Sequence, residues 1–110
     1  MVPTEQVTFK EGGVTVTLKI TQEQGEVRCT LLLDIEGVLG DPYGFVSPCT
    51  VGTGTSVAAA IMDVAPAVSM AARMLMAMGE RAAGLDALKV SHQIAAYATT
   101  RLRQSLTSPA

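Results

Sequence analysis

The segment Cys49–Ile61, CTVGTGTSVAAAI, carries the residues of this chain best suited to binding chemistry. Gly52 and Gly54 allow a backbone to come close to a ligand, and Thr53, Thr55 and Ser56 offer hydroxyls just ahead of an alanine-rich run that favours helix. A helix start presents unpaired N–H groups and the positive end of the helix dipole, so the arrangement suits a phosphate or a carboxylate. The same residues also serve ordinary capping, with Ser56 or Thr55 as N-cap and the helix beginning near Val57. The segment has neither the lysine of a P-loop nor the three-glycine spacing of a dinucleotide fingerprint. Upstream, Tyr43 and Phe45 are suited to stacking on a flat group, with Arg73 or Arg101 as counter-charges. The expected ligand site is therefore Tyr43, Phe45, Gly52, Thr53, Gly54, Thr55, Ser56, Arg73 and Arg101.

Thiol chemistry is the rival. Cys49 lies just ahead of the same helix start, whose dipole lowers a thiol pKa, and His92 is the single histidine. A triad would need Asp41 or Asp63 as the third member, and folding would have to bring the three together. Cys29 and Cys49 show no metal-ligand spacing, and one histidine without an acidic cluster makes a poor transition-metal site. No metal or cofactor is expected.

These residues sit in a chain of 110, the size of one domain, so residues 1–110 read as a single unit. Eight basic and ten acidic residues leave a formal charge of -2, which gives no global attraction to nucleic acid or to anionic membranes. Hydrophobic residues make up 48% and charged residues 16%, an apolar excess that points to burial between copies. The N-terminal residues MVPTEQVTFK lack a basic segment followed by an apolar core, so a reducing, cytoplasmic setting with two free cysteines is expected.

The N-terminal third alternates with period two. Val14, Val16, Leu18 and Ile20 face one way and Thr15, Thr17, Lys19 and Thr21 the other, as in a half-buried strand. Val7 and Phe9 extend the pattern across the Gly12–Gly13 turn, and Val27, Cys29, Leu31, Leu33 and Ile35 form a third inward row after QEQGE. A three-stranded antiparallel meander over about 7–36 follows, with a threonine-rich outer face. Residues 37–54, rich in glycine and proline, read as a long loop.

Beyond it the pattern turns helical over 55–106. Pro66 predicts a kink, or a short helix with a second beginning near Asp63. Gly79 and Gly84 are stop signals before a last helix from about Leu85 to Leu106, whose apolar face is Leu88, Ala95, Ala98, Leu102 and Leu106. Between Val57 and Met78 only Asp63, Ser69 and Arg73 are plainly polar. A central charge costs ~2.5 to 3.5 kcal/mol on insertion scales, so a helix buried on most sides is favoured over a membrane span.

The sequence thus predicts an α+β fold: meander, Gly/Pro-rich loop, helical hairpin. The expected function is a non-enzymatic homo-oligomer that holds a small anionic, nucleotide-like ligand at the loop and helix start, with copies meeting through apolar helices and sheet edges. The alternatives are a self-assembling structural or protein-interaction subunit without a small ligand, and a small cysteine-dependent enzyme. Neither nucleic acid nor membrane is an expected partner.

Overall fold

The computed structural model describes residues 4–35 and 50–107. Four antiparallel strands run in sequence order across one sheet: β1 (Thr4–Glu11), β2 (Val14–Glu23), β3 (Glu26–Ile35) and β4 (Thr50–Gly54). Three helices follow, α1 (Val57–Val64), α2 (Pro66–Ala77) and α3 (Arg81–Thr107), and they cover one face of the sheet. The chain is α+β as its patterning predicts, with one strand more than expected.

The strands form where alternation sorts side chains onto two faces. Val14, Val16, Leu18 and Ile20 of β2 are wholly or almost wholly buried, and across the register Leu18 faces Leu31 and Ile20 faces Cys29. Two-residue turns fix that register. Glu23 pairs with Glu26 around Gln24 and Gly25, both at positive φ (+52° and +81°), the combination whose twist suits a tight hairpin.

The fourth strand corrects the loop expected over 37–54: Thr50–Gly54 pairs with Val27–Leu31. Its inward row is Thr50, Gly52 and Gly54, with no large apolar side chain, so it lacks the signature that marked the other strands. The reason is steric. A Cβ on Gly52 would lie 2.6 Å from the Ala60 carbonyl oxygen and 2.9 Å from the Val64 nitrogen, and one on Gly54 would lie 2.8 Å from the Ala60 nitrogen. Helix α1 rests directly on the strand backbone and fills the space where inward side chains would stand.

Pro66 separates α1 from α2. It is the first residue of α2, where its missing N–H costs nothing, and Ala65 closes α1 by donating to the Ile61 carbonyl at 2.9 Å. The second helix therefore starts at Pro66, and Asp63 stays in α1. At the other end of α2, Gly79 (φ +85°) donates to the Met76 carbonyl at 3.1 Å and Glu80 to that of Leu75 at 2.8 Å, the paired bonds of a Schellman stop.

Gly84 does not end a helix. It lies inside α3, which begins at Arg81, and a Cβ there would meet Met76 Cγ at 2.5 Å and the Ala72 carbonyl oxygen at 3.0 Å. The buried face of α3 meets expectation only in part: Ala98 is buried and Leu88 packs against the core, but Ala87, Val90 and Ile94 fill the core where Ala95 and Leu102, expected there, are exposed. The helix is apolar around so wide an arc that two faces compete, and the one with the branched side chains Val90 and Ile94 packs on the sheet.

Replacing Gly52 with alanine should lower stability by about 1–3 kcal/mol, the range for overpacking a close contact. Val51→Thr, on the exposed side of the same strand, should change it by less than about 0.5 kcal/mol. Urea denaturation followed by circular dichroism measures both.

Candidate functional site

Two regions of the surface could take a partner or ligand, the β4–α1 junction singled out by sequence and a groove on the outer side of the helix layer. At the junction, Gly52, Thr53, Gly54, Thr55 and Ser56 do come together as one strand–turn–helix segment, but its groups have internal partners. The Ser56 hydroxyl accepts from the Ala59 N–H at 3.1 Å and the Ser56 carbonyl from the Ala60 N–H at 3.1 Å. The Thr53 N–H donates to Asp63 Oδ2 at 3.0 Å. This N–H belongs to the edge strand of the sheet, so the carboxylate occupies a position from which a strand edge would otherwise recruit another chain. It also sets a negative charge beside the segment expected to receive an anion.

The two arginines lie elsewhere. Arg73 is exposed on α2. Arg101, on α3, donates from both terminal nitrogens to the carboxylate of Glu5 on β1, with Nη2 to Oε1 at 3.0 Å. Its Nη1 also donates to the Tyr97 hydroxyl at 2.8 Å, and its guanidinium carbon lies 5.8 Å from the Tyr97 ring centre. Tyr97 in turn meets Phe9 edge to face, with centroids 5.7 Å apart. Glu5 shares a cross-sheet row with Ile20, Cys29 and Gly52, so three strand spacings, about 14 Å, separate it from the glycine. The structure therefore does not bring Arg101 to the junction. Tyr43 and Phe45 lie outside the described residues.

The pair between Glu5 and Arg101 shifts both groups. Hydrogen bonding to Arg101 holds the Glu5 carboxyl below its ordinary value of 4.5, and the bond to Glu5 raises the arginine further. For the thiol chemistry, Cys49 and Asp41 lie outside the described residues, and His92 is exposed on α3. Cys29 faces the core, and burial pushes its thiol up to about 11, which keeps it protonated and inert near neutral pH. Among the described residues no group of three or more His, Cys, Asp or Glu side chains is placed to hold a metal ion.

The second region was not singled out from the sequence. Between the α1–α2 junction and α3 runs an open groove of about 310 Å³, walled by Met62, Pro66 and Ser69 on one side and Ser91, Ala95 and Thr99 on the other, over Ala65 and Ala98. Its signal was present in α3, where Ser91, Ala95, Ala98 and Thr99 are small residues at the i, i+4, i+7, i+8 spacing of one helix face. None of the lining residues is charged. Met62 and Met70 are 61% and 63% exposed, and Leu85 and Leu102 are also exposed. Val57–Ala77 is apolar and long enough to cross a membrane by length and composition, yet only 39% of an 18-residue window within it is buried. Among the described residues the helix layer thus covers the sheet with one side and leaves large apolar side chains exposed beside charges such as Arg73 and Lys89, where burial on most sides was expected.

Comparison with known proteins yields no match: no family fits the sequence, and neither a curated protein nor a solved structure is similar to it.

A Glu5→Gln variant should lose up to about 1 kcal/mol at neutral pH, the range for an exposed pair. The carboxyl's folded-state pKa is depressed, so the pair's contribution is present above the unfolded value and fades as pH falls through the folded one, below 4.5. Wild type and variant should therefore converge in stability at acid pH, as denaturation at several pH values would show.

Proposed function

We propose that this protein is a self-associating structural or interaction subunit, whose working surface is the outer side of its helix layer. The observation that carries the reading is the exposure of Met62, Met70, Leu85 and Leu102 on helices whose other side already fills the core. Among the described residues no second layer covers them, and large exposed apolar side chains mark interaction surfaces. Alanines and serines between them let another helix come close, and methionine adapts to an irregular partner surface.

Binding of a small anion at the β4–α1 junction has less support. The Thr53 N–H already serves Asp63, the inner side of the glycines is taken up by α1, and Arg101 is engaged with Glu5. Cysteine-dependent catalysis has no described constellation to rest on.

Sedimentation equilibrium and native mass spectrometry of the full chain test the proposal. The expected outcome is an oligomer of defined copy number, without a small-molecule adduct and without a thermal shift on adding phosphate or nucleotides. A protein that stays monomeric at every concentration tested would overturn it.

A further inference from the structure

Resting on that reading and going on to the partner and its mode, we infer that the groove between α1–α2 and α3 receives Met70 of a second copy across a two-fold axis. The dimer stacks helix layer on helix layer, with the two sheets outermost.

Three observations select this occupant. The first is shape. At about 310 Å³ the groove far exceeds the ~30 Å³ share of one liquid water, so it takes side chains, and Met70 stands beside its Ser69 wall as the most exposed large apolar residue among those described. A surface that carries both a socket and a knob is self-complementary under two-fold symmetry, where residue i meets j and j meets i.

Charge is the second. No groove-lining residue is charged, so the groove takes an apolar side chain without stranding a charge, and an anionic partner such as nucleic acid finds no cation among its walls. The outer face of the sheet differs: Lys19, Arg28 and Asp34 stand among its threonines, and its large exposed apolar side chains are Leu32 and Val51.

The third is area. The 21 residues of Val57–Ala77 span up to about 30 Å at 1.5 Å per residue, and two helices side by side make a face about 20 Å wide. Such a face offers up to roughly 600 Å² per copy and roughly 1,200 Å² for the pair, the lower bound of specific, stable interfaces.

Sedimentation velocity on the full chain, compared with Ala95→Arg, Met70→Glu and Val51→Lys variants, tests the inference, with circular dichroism melts to confirm that each variant folds. Ala95, Met70 and Val51 are all exposed in the single copy, so the folded subunit tolerates each change. The expected result is a dimeric wild type whose dissociation constant rises on the order of 100-fold in Ala95→Arg and in Met70→Glu but not in Val51→Lys. A dimer indifferent to the two groove variants and split by Val51→Lys would overturn the inference and leave self-association standing. A monomeric wild type would overturn both. A monomer that floats with phosphatidylcholine vesicles, and no longer does so as Ala95→Arg, would assign the groove to a lipid surface and overturn both as well.

Discussion

The contact of α1 with the bare backbone of β4 is the constraint on which the rest of the helix layer depends. With no side chain at Gly52 or Gly54, α1 drops onto the strand until its own backbone replaces the missing inward row. Ile61 and Val64 then reach the core beside Cys29 and Leu31, and Asp63 lies at the sheet edge within reach of the Thr53 N–H. Pro66 ends that first segment, and α2 leaves from it to bury Val68, Ala72 and Leu75. The short strand and short helix act as one clamp. The strand is held by β3 on one side, and the helix is held by the strand beneath it.

Among the described residues the helices cover one face of the sheet, and the outer side of that cover is left with its own surface to settle. In this fold the sheet's open face is furnished with threonine and scattered charges, which suit water. The helix layer exposes charges too, Arg73 and Lys89 among them, but beside them it exposes methionine and leucine side chains, which do not suit water. No polar side chain among the described residues is buried, so the core contains no internal polar network, and the apolar surplus of the composition appears on the helix exterior. The exposed methionines and leucines are the physical basis on which association at the helix exterior is proposed.

The legible and illegible parts of the sequence divide along the same contacts. Val14 to Ile20 and Val27 to Ile35 announced their strands because alternate residues differ sharply in polarity, and Pro66 announced a break because its ring cannot continue a helix. β4 was hidden because its inward residues are defined by what lies above them, and glycine there reads as loop until the helix is in place. Gly84 was misleading for the same reason: it permits the approach of α2, a fact about residues 72 and 76 as much as about itself. Of the residues expected at the ligand site, Gly52 through Ser56 are neighbours by chain continuity, while Arg101 answers to Glu5, 96 positions away, for which no local pattern gives notice. The face of α3 misled through degeneracy, since apolar residues on two sides of one helix leave periodicity unable to choose.

The strand order carries one more consequence, for the sequence of events as the chain is made. Each strand pairs with its predecessor, so each pairing has both its partners as soon as the later strand has been made. α3 must instead return to the first strand, where Gln93 meets Glu11 and Arg101 meets Glu5 across 82 and 96 residues. A nascent chain lacking its last turns can own its complete sheet and still have β1 uncovered, its Phe9 without Tyr97. Until α3 emerges, β1 lacks the residues that cover it, and the apolar row of β2 beside it stays partly open to anything nearby that can take their place.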